Sequence, residues 1–285
     1  KKFIQFTFMK FEQLIYEEEA EVVKITLNRP TVLNALSMQL SDELVTAIEL
    51  VRQSKKLKFL IIKGSGDNFS VGDDITEMPR WGNANDITRR VRYYQNMANQ
   101  LEELDKITIA AVDGFAVGGG LEITMACDFV IATERAKWGM PEVDVGITPG
   151  WGGTTRLARL IGRRRAKEIN LIGALHTAQR AVDWNLWNRI VPNGQLDTEI
   201  EKLLNVLKSK NQQGLRQLKF IINRGVECDL YTAQGFEVLS GALTGAVSGF
   251  WKIKDADQGA GIMGFARKNE LWEKRRTLSK DFWTD

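Results

Sequence analysis

The chain reads as an α/β protein whose strands pair largely in parallel, followed by a helical C-terminal region. Short apolar runs alternate with helical periodicity over the first two thirds of its 285 residues, the signature of βαβ units. From Gly162 onward the pattern turns almost wholly helical. Glycine-rich junctions follow several of the runs, where chain reversal and close backbone approach favour a residue without Cβ.

In order, residues 11–16 and 21–27 predict a strand pair around an acidic turn, Glu17 to Glu19, and Asn28-Arg29-Pro30 breaks the second strand. Ser37 to Ser54 predicts a helix with Leu40, Leu44, Ala47, Ile48 and Val51 on one face. Phe59 to Lys63 predicts a buried strand. The loop Phe69 to Ile75 comes next, and a helix is predicted from about Thr88 to Leu104. Ile107 to Val112 and Phe129 to Ala132 predict further strands, separated by Gly118-Gly119-Gly120 and a helix whose first turn holds Glu122. Later helices are predicted over Ala166–Leu171, Ala178–Trp184, Thr198–Ser209, Leu215–Arg224 and, in the tail, Gly264–Phe282. Texture changes near residue 200 without a low-complexity linker.

Composition excludes several kinds of chemistry. Cys127 and Cys228 are the only cysteines, which rules out a disulfide framework or a Cys-rich zinc site and fits a reducing, cytoplasmic setting. The single histidine, His176, would have to serve any Ser-His-Asp or Cys-His arrangement, and it reads as a loop or capping residue. A net charge of +3 gives no reason to expect nucleic acid or a membrane surface, and no apolar run is long enough to span a bilayer. Residues 1–8 are basic then apolar, too short for a signal peptide, and read as an upstream extension.

Gly114 to Gly120 does not have the G-x-G-x-x-G spacing, and no glycine run precedes Lys-Ser or Lys-Thr, so the usual nucleotide loops are missing. An oxyanion hole is the remaining functional reading. The Gly119 N–H would lie at a helix start, and the Gly72-Asp73-Asp74 loop would supply a second donor. Tight turns and close helix packing explain the same glycines without function. Glu122 and Glu142 sit behind these junctions, as proton-transfer groups or as a helix-start acid and a solvated loop acid.

Larger segments carry a resemblance. Leu27-Asn-Arg-Pro-Thr-Val-Leu-Asn-Ala-Leu36, Phe69-Ser-Val-Gly-Asp-Asp-Ile75, Ala110 to Glu122, Cys127-Asp128, Trp138-Gly-Met-Pro-Glu142 and Gly146 to Thr154 together resemble the crotonase (enoyl-CoA hydratase/isomerase) superfamily, closest to its hydratases. The likeness covers about Phe11 to Pro192, with a weaker helical continuation. It implies a ββα spiral core over residues 9–200 and a helical region, 201–285, that builds homotrimers or hexamers (dimers of trimers). It implies an acyl-coenzyme A thioester as substrate, with no separate cofactor and no metal. The backbones of Asp73 and Gly119 fall on its oxyanion positions, and Glu122 and Glu142 on the acid/base positions of the hydratases. Leu33, Ala35, Gly72, Asp74, Ile75, Gly118 and Trp151 fall near substrate and coenzyme A. Lys268, Lys274, Arg275, Arg276 and Lys280 would offer phosphate contacts.

The expected reaction is addition of water to a 2-enoyl-CoA. Its rivals are an isomerase, a dehydratase or a cyclic ketoacyl-CoA hydrolase on the same scaffold, and a catalytically silent acyl-CoA binder. Asp73 departs from the resemblance, because many hydratases have alanine there; its carboxylate is expected to turn to solvent or to Arg80, and pointing inward it would oppose a negative thioester oxygen. Met78, Trp81, Tyr93, Tyr94, Trp138 and Trp151 are expected around the acyl chain, with ordinary core packing as the alternative for each. Trp187-Asn188 replaces a Gly-Leu-Val texture.

Overall fold

Unbroken apolar runs become the central strands. The computed structural model describes residues 11–248 with 276, 277, 279 and 280. Two units divide the chain between Leu196 and Asp197. In the first, β1 (Leu14–Glu19) pairs antiparallel with β2 (Val22–Leu27). Then β3 (Phe59–Gly64), β4 (Ile107–Val112), β6 (Phe129–Thr133) and β9 (Arg189–Val191) add in parallel, giving a six-stranded sheet in the order β1-β2-β3-β4-β6-β9. A smaller sheet joins β5 (Phe115–Val117), β7 (Lys137–Gly139) and β8 (His176–Thr177). All six residues of β4 are buried, as a strand covered on both faces requires.

Helix α1 (Met38–Gln53) buries Leu40, Leu44, Ala47, Ile48 and Val51, the face read from the sequence. Ser37 starts it by accepting from Leu40 N–H at 3.0 Å. Helix α2 (Ala84–Glu102) begins four residues before the expected Thr88, because Asn83 and Asp86 form a reciprocal capping box there. Helix α3 (Gly119–Met125) is buried along its whole length. Helices α4 (Thr155–Ile161), α5 (Arg163–Ile172) and α6 (Ala178–Asp183) complete the unit.

Several expectations need correction. Glu17 to Glu19 are not a turn; they extend β1, and the reversal falls at Ala20, whose φ of 52° marks the tight residue. Cross-strand partners Lys24, Val23 and Val22 hold these acids in register. His176 is not in a loop. It lies in β8, its ring 5.2 Å from that of Trp138, and its Nδ1 is 2.8 Å from Arg180 Nη1. The cap of α6 is Thr177 instead. Two motif residues tie strands together: Asp128 Oδ2 accepts from Thr108 N–H (2.8 Å) and Oγ1 (3.0 Å), joining the starts of β4 and β6. Asn188 Oδ1 accepts from Val130 N–H at 2.7 Å, and Trp187 packs against Trp138.

The second unit contains α7 (Leu196–Lys208), α8 (Gln212–Gly225) and α9 (Leu230–Ser248). The ring of Phe220 on α8 meets that of Phe236 on α9 at 5.7 Å. Residues 1–8 and most of the expected tail helix, including Lys268, Lys274 and Arg275, lie outside the described residues. Among the described residues no helix is long and apolar enough to cross a membrane.

Candidate active site

Two loops that follow parallel strands meet here. The first runs from β3 through Gly72 and Asp73; the second is the turn from β5 into α3. Ser70 N–H donates to Phe115 O (2.8 Å) and Val117 N–H to Ser70 O (3.0 Å), so the two backbones run side by side. Gly72 (φ +87°) lies so close to the second loop that a Cβ there would stand 2.8 Å from Val117 O and 2.9 Å from Gly119 N. Gly118 (φ +53°) provides the sharp entrance to α3.

This approach sets two N–H groups beside each other. A Cβ on Gly119 would lie 3.6 Å from Asp73 N. Leu36 bonds on either side of Asp73, through Leu36 N–H to Gly72 O (2.8 Å) and Asp74 N–H to Leu36 O (3.0 Å), leaving Asp73 N–H without a backbone acceptor among the described residues. Gly119 is the first residue of α3, where N–H groups have no partner within the helix. Two adjacent donors, one of them at a helix start, are the arrangement that an oxyanion hole requires.

Two carboxyls reach the same junction. Glu122, one turn into α3 and only 1% exposed, accepts at Oε1 from Trp151 N–H (2.7 Å) and Gly153 N–H (2.6 Å). Thus the second glycine stretch holds the glutamate of the first. Gly153 is required: a Cβ would press on Met140 Cε, 2.7 Å from Pro149 Cβ and 2.9 Å from Glu122 Oε1. Glu142, in a short 3-10 turn over Pro141–Val145, brings its Oε1 against Gly118, 3.1 Å from where a Cβ would be. Its Oε2 is buried without a partner among the described residues.

Asp73 overturns the expectation of a solvent-facing or Arg80-paired carboxylate. Its Oδ1 is buried and has no partner among the described residues, and the charge acting on it is that of Glu142. The side chain therefore points inward, with its Oδ1 buried and within electrostatic reach of Glu142. Burial, reinforced by Glu142, pushes Asp73 up to about 7. Burial also pushes Glu142 up to about 7. Glu122 is pushed up to about 8 by burial and by the charges of Glu142 and Asp73, against the Gly153 and Trp151 N–H bonds that favour its ionised form. Three acids acting on one another at one site do not all ionise together near neutral pH.

The expected aromatic group divides in two. Trp81, Tyr93, Tyr94 and Trp151 form a linked cluster, with Tyr94 4.5 Å from Trp151 and 6.2 Å from Trp81. Trp138 belongs elsewhere, among His176, Trp184 and Trp187. Trp151 is 1% exposed, so its ring backs the Glu122 contact. Tyr94 is buried near Asp73, and burial raises its phenol. Arg90, which the motifs do not mark, donates to Tyr94 Oη (3.3 Å) with its guanidinium 5.8 Å from the Trp81 ring. The i, i+4 spacing of Arg90 and Tyr94 on a helix was the available signal.

Among the remaining candidates, Leu33 takes a left-handed conformation (φ 56°) and is exposed, while Ala35 is buried. Arg29 Nη1 bridges Ala35 O (2.7 Å) and Asp74 Oδ2 (2.9 Å), giving Asp74 an ion pair inside the protein. Ile75, beside it, is exposed. Among the described residues no group of three or more His, Cys, Asp or Glu is placed to hold a metal ion.

A mixed α/β core with two neighbouring backbone N–H groups and buried acids beside them is the arrangement that an enzyme stabilising an oxyanion and moving protons requires. The chain belongs to the enoyl-CoA hydratase/isomerase family, whose sequence model matches residues 17–269. It is 37% identical over 234 residues to the short-chain-enoyl-CoA hydratase of Clostridium acetobutylicum, covering 80% of this chain and 88% of that protein. It is 35% identical over 263 residues to the crotonyl-CoA hydratase of Syntrophomonas wolfei, covering 92% and 98%. The crystal structure of an enoyl-CoA hydratase from Bacillus anthracis superimposes with a TM-score of 0.77 at 33% identity, over 81% of this chain and 90% of that one.

Proposed function

We propose that the protein is an enoyl-CoA hydratase, adding water across the 2,3 double bond of a 2-enoyl-CoA to give a 3-hydroxyacyl-CoA. The observation that carries this is the pairing of Glu122, fixed by two main-chain N–H groups, with Glu142 against the Gly118 turn, beside the Asp73 and Gly119 donors. The relatives named above support it. The thioester carbonyl accepts from Asp73 and Gly119 N–H. Water held by the two glutamates bonds through its oxygen to Cβ and loses a proton to Glu122, while the double-bond electrons move toward the thioester oxygen. Glu142, in its acid form, delivers a proton to Cα and restores the carbonyl. Each oxyanion donor in such a site is worth about 10²–10³ in rate.

Leu33, Ala35, Gly72, Asp74, Ile75 and Gly118 are proposed to line the coenzyme A path, the coenzyme being part of the substrate and not a separate cofactor. Exposed apolar residues on α8 and α9, among them Leu218, Ile222, Val238 and Leu239, support assembly of the second unit into a homotrimer or hexamer. Cys127 and Cys228 form no disulfide among the described residues, which supports a cytoplasmic location.

The test is incubation with 2-enoyl-CoAs of graded length while the conjugated absorbance is followed. Decay with formation of the 3-hydroxy product is expected; absence of decay for every thioester refutes the reading. Gel filtration checks the assembly, and a stable monomer refutes it.

A further inference from the structure

Three of the buried polar atoms that the mechanism leaves unused gather around Tyr94. Asp73 Oδ1, Trp81 Nε1 and Arg90 Nε have no partner among the described residues. They are neighbours through Tyr94, whose ring meets that of Trp81, whose hydroxyl accepts from Arg90, and on which Asp73 acts electrostatically. Buried donors and acceptors are costly to leave unmet, so several along one wall call for a group that meets them. A plain alkyl chain laid on this wall would leave all three unmet.

We propose that Asp73, with Trp81 as a second contact, makes the acyl pocket select 2-enoyl chains that carry a hydroxyl beyond the double bond. This rests on the hydratase reading and narrows its substrate class. A hydroxyl both donates and accepts, so one group satisfies the Asp73 carboxyl and the Trp81 indole N–H. A carboxylate on the chain would meet Asp73, Glu122 and Glu142. An ammonium would meet the Arg90 guanidinium, which lies over the Trp81 ring. A neutral hydroxyl avoids both repulsions. Asp73 acts here as a specificity residue through its side chain, apart from the role of its N–H.

The experiment compares kcat/KM for 2-butenoyl-CoA and 2-hexenoyl-CoA with that for their 4-hydroxy and 5-hydroxy counterparts. The native protein is expected to favour a hydroxylated chain by about tenfold or more, since sites built to bond a hydroxyl reject the analogue lacking it. Asp73→Ala is expected to bring that ratio to about one, Trp81→Phe to lower it several-fold, and Asp73→Asn to retain most of it. Equal or better turnover of the plain chains by the native protein overturns the proposal, as does an unchanged ratio in Asp73→Ala. Should Asp73→Ala lose all turnover, the binding of 4-hydroxybutanoyl-CoA and butanoyl-CoA to the native protein and to Trp81→Phe decides: equal affinities in the native protein overturn it. No hydration of any thioester, plain or hydroxylated, overturns the hydratase reading and this inference together. Hydration of plain chains without a hydroxyl preference overturns this inference alone.

Discussion

The main-chain side and the side-chain side of the site are held by different means. Glu122 Oε1 is fixed by the main-chain N–H groups of Trp151 and Gly153, and the oxyanion donors are themselves main chain. By contrast, Asp73 Oδ1, Trp81 Nε1 and Arg90 Nε are buried side-chain atoms without partners among the described residues. Main-chain contacts hold geometry without regard to the side chains that line it. The side-chain wall is free to vary with substrate while that geometry stays. A protein that keeps one reaction and changes its acyl group would vary the second side and not the first.

The largest expected effects come from removing the two glutamates proposed to handle the water. Glu122→Gln and Glu142→Gln should each lower kcat by about 10²–10⁴, with an unchanged circular dichroism spectrum. Ordinary turnover in either variant would break the distinction between the two sides. Gly72→Ala comes next. Its Cβ would meet Val117 O and Gly119 N in a backbone already at φ +87°, so the two donors must separate. A loss of about 10²–10³ in kcat is expected, with about 1–3 kcal/mol of stability by chemical denaturation.

A pH series tests the acids that join the two sides. Glu122 stands at about 8 and Glu142 and Asp73 at about 7, above ordinary values of 4.5, 4.5 and 3.8. Between those limits the folded protein binds more protons than the unfolded chain, so unfolding free energy falls as pH rises. Thermal melts from about pH 4 to about pH 8 should show this decline, and Glu142→Gln should flatten part of it. Activity should also trace a bell, falling below about pH 7 and above about pH 8, because Glu122 must be ionised while Glu142 keeps the proton it delivers. The smallest effect belongs to the cap that starts α2. Asn83→Ala should cost about 1 kcal/mol in denaturant unfolding while leaving the Glu122 contacts intact.

The sequence displayed the fixed side and concealed the other. Glycines at strand ends, two glutamates and β4 at Ile107–Val112 were legible because turns and buried strands carry local signals. Three-residue strands such as β5 and β7 were not, since too few residues alternate to show a period. Glu17 to Glu19 suggested a turn by composition, yet pairing with β2 holds them extended. The burial of Asp73 within reach of Glu142 depends on segments distant in sequence, and the meeting of Trp81, Arg90 and Tyr94 depends on how α2 turns over the site. Both are tertiary facts without a local pattern.

The interlocked glycine loops also bear on motion. Active-site loops are usually among the first parts of a protein to open. Here Ser70 pairs with Phe115 and Val117, and a Cβ on Gly120 would run into Ser70 O, so neither loop can swing out without parting from the other. Amide exchange at Ser70 and Val117 should accordingly be as slow as in the central strands, and the oxyanion donors should stay in place between turnovers, needing no rearrangement when the thioester arrives.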